Sequence, residues 1–145
     1  MKPIIFTLIL LALVSCKDSK KPVSKDAENV YSNSWIKEIK LDNGNKWEAN
    51  LETNEGILKM QNSIKTQLTN TLVEYYELAG KLNDDKNYVI LNCTMEGASH
   101  DNLHIWLLPL IAKIDALSEV KTIEDAAKIK LSIQKNINEY NTYFQ

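Results

Sequence analysis

Read from its C-terminus, the chain is dominated by apolar residues recurring every three or four positions. Ile123, Ala126, Ile129, Ile133, Ile137, Tyr140 and Phe144 form one such stripe, and Thr122 with Asp125 is placed to cap its start. Leu103, Leu107, Leu110 or Ile111, Ile114 and Leu117 form a second, opened by Ser99 as N-cap with Asp101 on the first turn. Pro109 lies inside it and should bend that helix near Ile105, whose carbonyl loses its partner. A third stripe runs Ile57, Met60, Ile64, Leu68, Leu72, Tyr75, Ala79 and Leu82, which predicts one helix of roughly 25 to 30 residues, capped by Thr53 and ended by Gly80 and Asn83-Asp84-Asp85. Asn83 then caps a shorter helix that takes in the apolar run Tyr88 to Met95, and Gly97 ends it.

Before these helices the period changes to two. Ile39 and Leu41 alternate with Lys, Asn43-Gly44 signals a tight turn, and Trp47, Ala49 and Leu51 alternate beyond it, so a hairpin or a pair of extended arms is expected. Trp35 and Trp47 suit the covering of an open bundle end better than a stacking platform. The expected fold is all-α: an up-and-down four-helix bundle with one long, one short and two medium helices, over residues 35–145, with a small N-terminal arm.

Residues 16–34 are polar and charged without apolar period, and read as a tether. Ahead of them stand Lys2, the apolar run Ile4 to Val14, and Leu13-Val14-Ser15-Cys16. This order resembles the lipobox of bacterial type II signal peptides. The resemblance implies that residues 1–15 are a leader, that cleavage falls before Cys16, and that Cys16 carries a diacylglycerol on its sulfur and an acyl chain on its amino group. The apolar run is shorter than the roughly 20 residues that span a bilayer, and several acyl chains anchor durably. The expected location is therefore the outer membrane, lipid-anchored, with the body in the periplasm or at the cell surface. Lys17 follows Cys16 where an Asp would resemble an inner-membrane retention signal.

Composition narrows the function. The chain has 145 residues, enough for one domain, and its 17 basic residues are all lysine against 19 acids. Without the arginine forks that grip phosphates and read bases, a nucleic-acid partner is not expected. No phosphate loop, dinucleotide fingerprint or paired catalytic carboxylates occur in the sequence. Ser99 and His100 are neighbours and point about 100° apart on a helix, so they make no nucleophile and base pair. An enzyme is not expected.

One stretch concentrates reactive side chains. Cys93 to His104 holds the thiol that remains once Cys16 is acylated, the thioether of Met95, and both histidines. His100 and His104 are four apart, which on a helix puts both imidazoles on one face. A free thiol in an oxidising compartment needs burial, a partner chain or a metal. Thiolate, thioether and imidazole together suit copper(I), and the Cys and His subset suits copper(II) or zinc. Cys93 and Met95 share a side only if the chain has left helical geometry by Thr94. A metal cluster of Cys93, His100 and His104 with Met95 as optional fourth ligand is one expectation, for buffering or delivery of copper or zinc. A structural Cys with incidental histidines, in a module that docks an envelope protein, is the other. Met60 with His104 resembles the Met and His haem ligation of four-helix cytochromes on two residues alone, and no Cys-x-x-Cys-His attachment is present.

Overall fold

A computed structural model describes residues 30–145 of the chain. The leader and Cys16 lie outside the described residues. Four helices, α1 (Leu51–Thr66), α2 (Leu72–Asn92), α3 (Gly97–Glu119) and α4 (Ile123–Tyr143), follow a 3₁₀ turn at Ser34–Lys37. Each helix packs on its sequence neighbours and α1 closes against α4, so the fold is an all-α, four-helix up-and-down bundle. Each buries one stripe. Ile57, Met60 and Ile64 of α1, Leu78, Ala79 and Leu82 of α2, Trp106, Leu110 and Leu117 of α3, and Ile133, Ile137 and Tyr140 of α4 meet in a single core. Removing each large side chain from water contributes about 1.5–3 kcal/mol, which beats the modest intrinsic preference of these sequences for helix.

The helix boundaries correct the expected ones. The stripe from Ile57 to Leu82 does not lie on one long helix. The chain leaves helix at Gln67, whose φ of −70° and ψ of 122° are extended, and Leu68 points outward at 68% exposure. α2 begins afresh at a reciprocal cap, in which the Glu74 amide donates to the Thr71 hydroxyl and the Glu74 carboxylate accepts from the Thr71 amide. Asn83-Asp84-Asp85 stays inside α2, because Asp85 accepts from the Ser63 hydroxyl at 3.0 Å and Asn83 accepts from Lys86 at 2.7 Å. The helices have 16, 21, 23 and 21 residues, in place of one long, one short and two medium.

Other caps follow the same local rules. Thr122 accepts from the Asp125 amide at 3.1 Å, as expected. Thr53 is not an N-cap: it is buried in the first turn of α1 and donates to Asn50 at 2.6 Å. Ser99 is not one either, since α3 starts two residues earlier at Gly97, which takes the positive φ of 61° that favours glycine.

The N-terminal arm is tied to the bundle. Asn43 (φ 51°) and Gly44 (φ 91°) make the tight turn that the Asn-Gly pair demands, with Asp42 and Asn45 bridged across it. The far arm pairs with the chain's other end rather than with the near arm. Trp47 donates to the Tyr143 carbonyl at 2.7 Å and accepts from the Gln145 amide at 3.0 Å. Trp35 is buried against the edge of Tyr143, while Trp47 is half-buried and its indole donates to the Lys40 carbonyl at 2.6 Å. Both tryptophans thus pack on the bundle. Val30 to Ser34, expected to belong to the tether, lie on the folded body: Val30 packs on the core, Asn33 donates to the Ser132 carbonyl at 3.2 Å, and Ser34 begins the 3₁₀ turn.

Candidate metal-binding site

α2 ends at Asn92, and Cys93 already has extended backbone (φ −68°, ψ 121°), so the early exit that the ligand cluster requires does occur. Four residues later α3 begins, and its first two turns carry the histidines. His100 is half-buried and His104 exposed; their ring centroids are 4.3 Å apart with planes inclined at 56°. Two imidazoles bound to one ion through nitrogen bonds of about 2.0–2.1 Å at right angles have centroids about 4.5 Å apart. The pair therefore stands near a chelating separation.

The Cys93 thiol does not complete it. Among the described residues no three Cys, His, Asp or Glu side chains form a group able to hold a metal, so Cys93 does not join both histidines in one ligand set. Its surroundings give the reason. Cys93 is half-buried against the core on the side of α4, close enough to Tyr140 for its charge to oppose ionisation of that phenol. Burial is the larger cause of the upward shift at Tyr140, whose hydroxyl donates to Asn54 at 2.8 Å. His104 faces the N-terminal arm, on a cleft of about 490 Å³ that it shares with Trp35, Glu38, Leu108 and Pro109. Met95 is half-buried against the core. Met60 is sealed inside the bundle and His104 is at its surface, so the haem-like pairing of these two has no support in the fold.

A polar centre appears that was not expected. Lys113 lies on the apolar face of α3 and is 0% exposed. Its ammonium nitrogen donates to Asn136 Oδ1 at 2.7 Å and to Asn33 Oδ1 at 2.5 Å. Asn33 also accepts from the Trp35 indole at 2.9 Å, and Asn136 exchanges hydrogen bonds with the Trp106 backbone and indole. Burial alone, with no contribution from a charged neighbour, pushes the Lys113 amine down to about 7. The sequence signal was its register: Trp106, Leu110, Lys113 and Leu117 fall on one helical stripe, so a lysine at that position must enter the core. Fully buried and bonded to Asn33 and Asn136, this amine acts as a structural fastening between the arm, α3 and α4.

A family model described as Transferase family matches residues 47–102. The matched stretch comprises the far arm, α1, α2 and the start of α3; it contains Cys93, Met95 and His100 and stops before His104. Comparison with curated proteins and with solved structures gives no match. The class defined by the fold is thus a four-helix up-and-down bundle, with a stretch similar to a transferase family over less than half of its length.

Proposed function

We propose that this is a lipid-anchored envelope protein that binds a transition metal, copper or zinc, through His100 and His104, for buffering or delivery. The carrying observation is the separation of 4.3 Å between two ring centroids on consecutive turns of one helix. Two imidazoles supply borderline-soft nitrogen donors that suit copper(II) and zinc, and they leave coordination positions open to water or to a donor on a receiving protein. An exposed, incompletely enclosed clip fits a carrier better than a structural site, which is closed by four protein ligands. Cys93 and Met95, held against the core, take no direct part in this reading. The anchor rests on the lipobox resemblance at Cys16; in the described residues no helix is long and apolar enough to cross a membrane.

Calorimetric titration of the full chain in detergent with copper(II) and with zinc tests it. One equivalent should bind, H100A and H104A should each abolish the tight phase, and C93A should leave it intact. Equal binding by all four proteins would sink the proposal.

The partial transferase match favours a second reading, group transfer in which the Cys93 thiolate attacks the carbonyl of an acyl thioester, the donor's carbon–sulfur bond breaks and the donor thiol leaves. It predicts an acyl adduct on Cys93, by mass spectrometry, after incubation with an acyl thioester; an unmodified thiol leaves the binding reading in place.

A further inference from the structure

The groove between α3 and α4 is filled by the N-terminal arm, whereas the groove between α1 and α4 is open. Two adjoining cavities lie along it, of about 520 Å³ and 260 Å³, and Gln61 lines both. Their walls are unusually rich in amides. Gln61, Gln134, Asn138 and Asn141 line the groove, and none of the four side chains makes a hydrogen bond among the described residues. Asn54 and Gln145, by contrast, are engaged: Asn54 accepts from Tyr140 and Gln145 donates to Glu48. No Asp or Glu side chain lines either cavity, and Lys65 and Lys130 close one end. Neither lysine has a carboxylate within ion-pair reach among the described residues, although the chain as a whole is acidic. Lys130 is held in place by donating to the Thr69 hydroxyl at 2.8 Å.

We propose that this groove binds an extended peptide segment through its backbone, with an acidic side chain or terminal carboxylate of that peptide seated between Lys65 and Lys130. The donor inventory leads there. A side-chain amide offers two N–H donors and a carbonyl acceptor, which is the complement of a peptide bond, and a row of them reads main chain with little regard to side chains. From Lys130 to Asn141, α4 rises about 16 Å at 1.5 Å per residue, the length of about five extended residues at 3.3 Å each. A glycan would also meet the amides, but sugars need an exposed aromatic face; Tyr140, the one aromatic residue lining these cavities, is buried with its hydroxyl committed. The unpaired ammonium groups supply polarity, fixing which end of the peptide lies at the start of α4.

The test is a nitrogen-15 correlation spectrum of the full chain in detergent, titrated with two N-acetylated pentapeptides of unlike sequence, each ending in a free glutamate. Both should shift the side-chain amide signals of Gln61, Gln134, Asn138 and Asn141 while leaving the backbone amide signals of His100 and His104 unmoved. K65Q/K130Q should weaken binding about tenfold or more, and Q61A/N138A, which alters no buried group, should lose it with an unchanged circular dichroism spectrum. The proposal is overturned if neither peptide shifts the groove at millimolar concentration, if K65Q/K130Q binds as tightly as the parent, or if inorganic phosphate or chitotriose alone reproduces the shifts.

Discussion

Lys113 donates to Asn136 across 2.7 Å in a region of the bundle that solvent does not reach, and no carboxylate shares the contact. A buried amine satisfied only by amide oxygens is held better neutral than charged. Its value in the fold is about 7, against 10.5 when unfolded. Between those limits the unfolded chain binds the extra proton, so stability increases with pH. The cost is complete at and below pH 7 and is relieved on approach to the upper limit. Urea midpoints should therefore rise from about pH 7 to about pH 9.5. Beyond that window burial of Tyr140, which keeps its phenol protonated, works in the opposite sense. K113M should abolish the rise. At pH 9.5 it should also destabilise by about 1–3 kcal/mol, since Asn136 Oδ1 loses its donor, whereas at pH 7, where the parent bears the full cost of its buried amine, that deficit should vanish or reverse. A parent protein with a flat profile would refute the assignment.

Where α1 crosses α2, a methyl group on Gly56 would overlap Val89 Cγ2 and touch Tyr88 and the Asp85 carbonyl. Ordinarily Ala stabilises a helix interior by about 1 kcal/mol over Gly. Here the overlap should outweigh that gain, because a close-packed contact between two helices cannot give way on one side alone. G56A is expected to lower stability by about 1–3 kcal/mol, and V89A, which removes the obstructing methyls, should recover part of the loss in the double variant. Chemical denaturation of the three variants checks the pattern; additive losses would contradict it.

Much of this fold is legible in the chain because helix period and turn chemistry are local. The α4 stripe, the Thr122 cap and the Asn43-Gly44 turn needed no tertiary information. The break between α1 and α2 was hidden because Leu68 and Leu72 keep the three- and four-residue rhythm straight through a non-helical link. A period measures spacing and is blind to direction. Thr71-x-x-Glu74 was the stronger local signal there, and it sets the start of α2. At the site, the histidine pair was legible from spacing alone, whereas the position of Cys93 was not: which wall of the bundle a residue faces after a link depends on how α2 leaves its last turn. Lys113 shows the converse: its burial was not expected, although its place on the Trp106, Leu110 and Leu117 stripe carried the signal.

The Thr71 cap carries a prediction of its own. Its hydroxyl and the Glu74 carboxylate satisfy amides at the start of α2 reciprocally, and the backbone amides of Asn70 and Thr71, Asn70 foremost, hold the Glu74 carboxyl below its usual range. T71A should cost about 1 kcal/mol, and hydrogen exchange should quicken in the first turn of α2 ahead of the rest of the helix. Uniform acceleration along α2 would instead indicate loss of packing.

The two imidazoles must both be neutral to bind one ion, so protons compete with metal at each of them. Affinity should fall on acidification, as protons displace the ion from each ring. The steepness is the diagnostic. If both rings ligate, the decline follows a proton order approaching two in the parent, and replacing either ring by alanine leaves weak binding with an order near one. Competition titrations at stepped pH distinguish the cases. An order near one in the parent would mean that only one histidine ligates, and the separation of 4.3 Å between the rings would then be a packing contact.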